Sequence, residues 1–208
     1  MYKRQVLFTE GDYQLGKSDV YIQNVNGDDK VEISNDLNEY GAIPVFSKSN
    51  KSIAYCSWYL KDKILTKPQI VIFNSETKEK LSITNNSFEN WRPYFSPDET
   101  KLVYISKREK YYQLYLYDLV TGSETKLVNS SWDIWDPAFS DDGNKIIYSA
   151  KQKGNWDLFE FDLNSKTVKQ ITDTKGDEWD PFYTSDSTLI YSGSFGPFRC
   201  IYKRNLDF

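Results

Sequence analysis

Apolar and polar positions alternate along this chain in short runs, and turn-forming residues separate the runs. Leu114-Tyr115-Leu116-Tyr117-Asp118 and Leu158-Phe159-Glu160-Phe161-Asp162 are two clear examples. Such a period of two, bounded by Asp, Asn or Gly, is typical of half-buried β-strands joined by tight turns. No segment sustains the 3.6-residue period of an amphipathic helix. The pattern therefore predicts an all-β protein of antiparallel strands with almost no helix.

One part of this pattern, a Trp-x-Pro motif, recurs at a spacing of about 44 residues, the length of one propeller blade. Its copies are Trp91-Arg92-Pro93, Trp135-Asp136-Pro137, Trp179-Asp180-Pro181 and a weaker Ala42-Ile43-Pro44. Each copy opens a set of short strand-like runs in a fixed order. A unit that cannot bury both of its faces alone must stack on its neighbours. The repeat thus predicts a β-propeller of four-stranded antiparallel blades, in which the motif's Trp and Pro residues are structural.

The repeat also resembles a known family. Trp91 to Ser106 and Leu114 to Leu127 match, almost position for position, the WD40-like repeat of TolB-type β-propellers. The resemblance implies a propeller that usually has six blades and that works in the periplasm or otherwise outside the cytoplasm. Fold and binding site are separable, so it says little about the ligand.

The strand-like runs divide into three complete blades and two partial ones within a single domain. We expect complete blades at 35–84, 85–129 and 130–173, and partial blades at 1–34 and 174–208. This count fits either a five-bladed ring with ragged ends or a piece of a six-bladed ring. Residues 1–5, Met-Tyr-Lys-Arg-Gln, resemble the translated end of a transposon adapter from sequencing libraries. We therefore expect them to be a sequencing artefact, and the chain to be a fragment of a longer protein.

Composition narrows the chemistry that the chain can perform. Its 208 residues include no histidine, which removes the usual general base and every Ser-His-Asp arrangement. The net charge is −4 and the cations are scattered, so nucleic acid is not an expected partner. No apolar run reaches the roughly 18 residues of a membrane span. Cys56 and Cys200 lie in strand-like runs, and we expect both to be buried thiols.

Aromatic residues that the repeat does not explain are the candidate contacts for a partner. In propellers of this kind we expect them on the face around the mouth of the central channel, where Trp and Tyr would anchor a protein or peptide. The alternative is that they pack between blades. The Trp58 to Pro68 insertion is a candidate interaction loop. The candidate binding residues are Trp58, Tyr59, Tyr111, Tyr112, Trp132 and Trp156, with Arg92, Asp136 and Asp180 from the Trp-x-Pro motifs.

Carboxylates recur two residues before each motif Trp, at Glu89, Asp133 and Asp177. If successive blades bring them together, they are candidate ligands for a calcium ion, which prefers oxygen donors. The alternative is that each carboxylate caps a turn. No other cofactor is expected.

Two functions from different classes remain. The first is a non-catalytic, TolB-like binding or scaffold propeller that engages a protein or peptide and could be associated with the cell envelope. The alternative is the propeller domain of a larger serine peptidase of the prolyl oligopeptidase kind, whose Gly-x-Ser-x-Gly motif and histidine would lie outside this chain. A propeller lyase acting on sugars is disfavoured, because such sites resemble histidine-bearing metal centres.

Overall fold

A computed structural model describes residues 5–12, 17–184 and 188–206. Over these ranges the chain forms nineteen strands and no helix, so no helix here is long and apolar enough to cross a membrane. Most of the suspected adapter segment, residues 1–4, lies outside the described part. The strands form five antiparallel sheets, which are the blades of a β-propeller. The chain divides into two compact units, Met1–Pro93 and Tyr94–Phe208.

The first unit contains two sheets. The first sheet has three strands in sequential order: β1 (Gln5–Asp12), β2 (Lys17–Asn24) and β3 (Val31–Glu32). The strands of the second are β4 (Glu39–Phe46), β5 (Ser52–Lys61), β6 (Ile64–Leu65), β7 (Gln69–Asn74) and β8 (Lys80–Ser82). Their order in the sheet is β4, β5, β7, β8, and β6 pairs only with the end of β5. The insertion thus folds as an extra hairpin on this sheet.

The third sheet begins with β9 (Glu89–Phe95), the strand in which the boundary between the two units falls. It continues with β10 (Lys101–Lys107), β11 (Gln113–Asp118) and β12 (Glu124–Lys126). The fourth sheet consists of β13 (Ile134–Phe139), β14 (Lys145–Gln152), β15 (Asn155–Asp162) and β16 (Val168–Gln170). The last has three strands: β17 (Glu178–Tyr183), β18 (Thr188–Phe195) and β19 (Phe198–Asn205).

The second strand of each sheet with four or more strands contains a long buried run. In β5, β10 and β14 at least five successive residues are buried, whereas the short strands β8, β12 and β16 are mostly exposed. A strand covered on both faces needs apolar side chains on both, which explains its continuous apolar run. Each unit has its own core. One cluster joins Val20 and Ile33 to Tyr55 and Phe73, and the other joins Ile147 and Leu158 to Leu189.

The turns use side-chain oxygens in the way that the sequence predicts. Asp118 accepts hydrogen bonds from the N–H groups of Val120 (3.0 Å) and Thr121 (2.8 Å), which closes the turn after β11. Between β9 and β10, the Ser96 hydroxyl donates to Asp98 at 2.5 Å. This hydrogen bond is the main reason that the pKa of Asp98 falls to about 2. Local Asx hydrogen bonds of this kind specify a turn without any tertiary contact.

The expectation that both cysteines are buried is wrong for Cys200. Cys56 is buried in β5, and burial raises the pKa of its thiol to about 12. Cys200 is exposed, as are its neighbours Phe198 and Ile201 on the edge strand β19. An apolar run on an edge strand is not covered as a central strand is, and the sequence pattern alone does not distinguish the two.

Candidate functional site

Each Trp-x-Pro motif, including the weak copy with Ala42, adopts the same unusual backbone. The middle residue has a left-handed φ in all four copies: 56° at Ile43, 56° at Arg92, 52° at Asp136 and 49° at Asp180. Strand pairing shifts register across the Ala42, Trp135 and Trp179 motifs, as at a β-bulge. A left-handed φ is strained for any residue with a Cβ, and most of all for β-branched Ile43. The motif is thus associated first of all with a particular backbone conformation.

The two aspartates of this position have structural contacts in the second unit. Asp136 Oδ2 accepts hydrogen bonds from the Ser149 hydroxyl at 3.1 Å and from the Asp180 N–H at 3.3 Å. Asp180 Oδ2 in turn accepts one from the Ser192 hydroxyl at 3.3 Å. Successive sheets are therefore linked through their bulges. Arg92 is half-buried in the first unit.

The recurring carboxylates hold hairpins in place. Asp133 Oδ1 accepts the N–H of Tyr112 at 2.9 Å, and Asp177 Oδ1 accepts that of Trp156 at 2.8 Å. In the second sheet, Pro68 occupies the matching position just before β7 and has no N–H to donate. There Glu89 instead binds the Lys67 ammonium at 2.5 Å. Among the described residues, no three Asp, Glu or Cys side chains are arranged to hold a metal ion.

Buried carboxylates also differ between the units. In the first, Glu39 Oε1 accepts hydrogen bonds from the Tyr55 and Ser57 hydroxyls, both at 2.8 Å, and Oε2 binds the Lys80 ammonium at 2.5 Å. In the second, Glu178 accepts hydrogen bonds from the hydroxyls of Thr172 and Thr174. Burial raises the pKa of Glu178 above its ordinary value. Side chains of the same unit donate hydrogen bonds to each carboxylate, which indicates that both carboxylates have a structural role.

In the second unit, aromatic side chains fill the space beside the motif. The rings of Tyr112 and Trp135 lie 5.0 Å apart between centroids at 54°, a tilted packing that aromatic pairs favour. The Lys107 ammonium lies 5.2 Å from the Tyr112 ring. We call this Tyr112–Trp135 contact the filled joint. Tyr112, predicted as a binding residue, is therefore placed in packing.

The other candidates of this unit are placed differently. Trp132 is 40% exposed, and Tyr111 is half-buried with the Lys110 ammonium 5.0 Å from its ring. Trp156 is half-buried at the start of β15, and the Arg199 guanidinium lies 5.0 Å from the Trp179 ring. Of these residues, Trp132 offers the most accessible aromatic surface.

In the first unit, the corresponding space is open. A cavity of about 330 Å³ lies beside the weak motif, and six of its eight lining residues are apolar. Trp58 and Trp91 form one wall, with ring centroids 5.7 Å apart at 59°. Trp58 belongs to strand β5 and is only 7% exposed, so it is not the exposed loop residue that the sequence suggested. We call this cavity the open joint; it is lined by Ser18, Ala42, Ile43, Trp58, Leu65, Thr66, Pro68 and Trp91.

Two substitutions in the repeat explain the open joint. Ala42 stands two residues before its proline, where Trp135 stands in the filled joint. The Val20 carbonyl accepts a hydrogen bond from the Ile33 N–H, and the Leu114 carbonyl accepts one from the Leu127 N–H, so Val20 and Leu114 are equivalent positions. Ser18 lies two residues before Val20, as Tyr112 lies two residues before Leu114. Ser18 therefore occupies the position of Tyr112. Both large aromatic residues of the filled joint are replaced by small ones, and the sequence signal for this lies at Ala42 inside the motif and at Ser18 outside it.

The insertion forms one side of the open joint. Asp62 and Lys63 have φ values of 50° and 66°, which give a two-residue hairpin turn between β5 and β6. Leu65 on β6 lines the cavity and is 39% exposed, and Thr66 Oγ1 accepts the N–H of Tyr59 at 2.9 Å. The hairpin thus holds an accessible leucine beside two tryptophans.

A comparison with protein families gives one match: the model of the TolB beta propeller domain matches residues 92–206. The chain belongs to the TolB beta propeller domain family. The matched part lies almost wholly in the second unit, where the repeats are most regular. Among curated protein sequences, no significant match is found.

Solved structures carry the same fold at low identity. TolB from Acinetobacter baumannii is 17% identical, with a TM-score of 0.80, 98% coverage of this chain and 51% of that one. The putative TolB from Agrobacterium tumefaciens is 16% identical, with a TM-score of 0.76 and coverages of 98% and 78%. A puromycin-hydrolyzing peptidase from Mycobacterium tuberculosis is 11% identical, with a TM-score of 0.71 and coverages of 90% and 31%. The chain spans about half the length of the first of these structures.

Proposed function

We propose that this chain is a non-catalytic binding propeller that engages a protein or peptide partner through its aromatic surfaces. The observation that carries the proposal is the open joint, an apolar cavity with two tryptophans in its wall and an accessible leucine at its side. Ligand sites are typically concave and apolar with few polar groups, and Trp is a frequent anchor at interfaces. The absence of histidine argues against catalysis by these residues.

The other predicted contacts form a second part of the same proposal. Trp132 and Tyr111 supply aromatic surface in the second unit, and Trp156, Arg92, Asp136 and Asp180 remain candidates at the hairpins and bulges. Tyr59 follows Trp58 at the end of β5, where the insertion begins. Binding to the cell envelope and a location outside the cytoplasm are proposed on the family resemblance, and fractionation of cells that express the complete gene tests them.

Selection from a random peptide library displayed on phage, with the immobilised chain as the target, tests the proposal. We expect peptides that lose binding in Leu65→Asp, which places a charge beside the cavity. Leu81→Asp is the matched control, because Leu81 is 59% exposed on the outer strand β8 and does not line the cavity. Recovery of no binding peptide, or equal losses in both variants, would contradict binding at this site.

The alternative is that the chain is the propeller domain of a larger serine peptidase of the prolyl oligopeptidase kind. The fold likeness to the puromycin-hydrolyzing peptidase supports it at the level of fold alone. Sequencing the complete locus separates the two hypotheses. A downstream Gly-x-Ser-x-Gly motif with a histidine would favour the peptidase, and its absence would favour the binding propeller.

A further inference from the structure

We propose that the open joint binds one aromatic side chain from a partner peptide, and that acidic residues flank this side chain in the partner. The inference deepens the proposed function and rests on it. In this arrangement the partner supplies, in trans, the aromatic residue that the repeat lacks at Ala42.

The size of the cavity selects a single side chain. Its volume of about 330 Å³ is at the lower end of the roughly 300–1,000 Å³ of ligand pockets. The two polar residues in the lining are already engaged: Ser18 Oγ donates to the Gly41 carbonyl at 2.9 Å, and Thr66 Oγ1 accepts the Tyr59 N–H. The remaining lining is apolar. A group that enters therefore meets carbon and aromatic surface, which favours an apolar side chain over a polar one.

The filled joint shows which apolar group this space suits. In the second unit, the positions of Ser18 and Ala42 hold Tyr112 and Trp135, whose rings pack in a tilted arrangement. The weak motif keeps the same bulge, because φ is 56° at Ile43 and 52° at Asp136. The backbone is thus shaped for an aromatic ring that the chain does not supply. Trp58 and Trp91 offer ring surface to an incoming aromatic side chain, whose edge and face pair favourably with them.

Charge beside the cavity selects what flanks that side chain. The insertion from Trp58 to Pro68 carries three lysines and one aspartate, although the whole chain has a net charge of −4. Lys67 is held by Glu89, whereas Lys61 and Lys63 are exposed at the tip of the hairpin that carries Leu65. Complementary charge steers partners and rejects those of like charge. A segment with Asp or Glu next to its aromatic residue fits this surface best.

Titration with short peptides, monitored by NMR of the tryptophan indole N–H signals, tests the inference. The probes are N-acetylated, amidated Glu-Trp-Glu, Glu-Ala-Glu, Gly-Trp-Gly and Lys-Trp-Lys, and Trp58→Phe and Trp91→Phe assign the two signals. We expect Glu-Trp-Glu to shift the Trp58 and Trp91 signals, Glu-Ala-Glu to leave them unchanged, and Lys-Trp-Lys to bind more weakly than Gly-Trp-Gly. Equal effects of Glu-Trp-Glu and Glu-Ala-Glu would overturn the inference.

Two variants separate the parts of the inference. Ala42→Trp restores the repeat residue and should weaken Glu-Trp-Glu binding at least about tenfold, the equivalent of ~1.4 kcal/mol. Lys61→Glu/Lys63→Glu changes only exposed side chains, so it stays folded; it should weaken Glu-Trp-Glu binding about threefold and leave Gly-Trp-Gly unchanged. Unaltered binding in the lysine variant overturns the acidic preference even if Ala42→Trp does not fold.

The same variants distinguish this inference from the proposed function. One possible result is that the selected peptides lack an aromatic residue and bind Ala42→Trp and the wild type equally. That result would overturn the inference, while the chain remained a peptide-binding propeller. A library that yields no binder at all would overturn both.

Discussion

The open joint of the first unit and the filled joint of the second have the same backbone and opposite contents. Both contain a bulge in which a residue with a left-handed φ precedes a proline. Beside each bulge lies the hairpin residue that stands two positions before a buried aliphatic residue. In one joint Tyr112 and Trp135 fill the space, and in the other Ser18 and Ala42 leave about 330 Å³ empty. The comparison teaches that the tryptophan of the motif does not create the bulge.

Both joints share the proline that follows the left-handed residue. Pro93, Pro137 and Pro181 are buried, and the weak copy retains its proline as Pro44. The aromatic residue can therefore be replaced without a change in the backbone geometry. An array of stacked repeats can tolerate one poorly packed joint, because its stability is a sum over many repeats and interfaces.

Emptying the filled joint should have the largest effect. We expect Trp135→Ala to lower the free energy of unfolding by about 3 kcal/mol, because it removes a large ring from a packed site. Urea unfolding followed by circular dichroism measures the change. Trp132→Ala is the control, since an exposed tryptophan should cost no more than about 0.5 kcal/mol. Equal losses in the two variants would mean that Tyr112 and Trp135 do not support the joint.

The hairpin caps should follow with a smaller effect. Asp133→Ala removes the carboxylate that accepts the Tyr112 N–H, and we expect a loss of about 1.5 kcal/mol. Glu89→Ala in the first unit breaks a more exposed pair with Lys67 and should cost less than about 1 kcal/mol. A larger loss in Glu89→Ala than in Asp133→Ala would contradict the capping role.

The recurring carboxylates also test the calcium hypothesis. If Asp133 and Asp177 only cap hairpins, Asp133→Asn should keep most of the stability, because its Oδ1 still accepts the N–H. Thermal melts with calcium and then with a chelator complete the test. A calcium-dependent rise in the melting temperature that disappears in Asp133→Asn would support an ion site instead.

Relief of backbone strain in the open joint should change the free energy of unfolding by no more than the loss of a hairpin cap does. Ile43 is β-branched at φ 56°, and Asn adopts this conformation more readily. We expect Ile43→Asn to raise the free energy of unfolding by about 1 kcal/mol, reduced by whatever the apolar Ile43 side chain contributes to the cavity wall. Thermal unfolding measures it. The reciprocal Asp136→Ile should destabilise, because it adds strain and removes the acceptor for the Ser149 hydroxyl.

The smallest effect concerns pH. Burial raises the folded-state pKa of Glu178 above 4.5, so the folded state favours its protonated form. The stability that this group contributes is complete below pH 4.5 and is lost as the pH rises through the raised pKa. We expect that part of the pH dependence to disappear in Glu178→Gln, as measured by urea midpoints across this range. Glu109→Gln, in which the side chain is 72% exposed, is the control and should keep the wild-type profile.

The sequence by itself determined the β-propeller, because its evidence is local and repeated. The period of the Trp-x-Pro motif, the alternation within the strands and the Asx turns at Asp118 each act over a few residues, and each recurs. Belonging to the TolB beta propeller domain family follows from the same residues.

Only the tertiary structure revealed the cavity at the open joint. Trp58 was expected on a loop and lies buried in β5, and Tyr112 was a candidate contact and packs against Trp135. The open joint is formed by Ser18, Ala42 and Trp91, which are far apart in sequence. A cavity exists where several distant side chains together fail to fill a space, so no local pattern can report it.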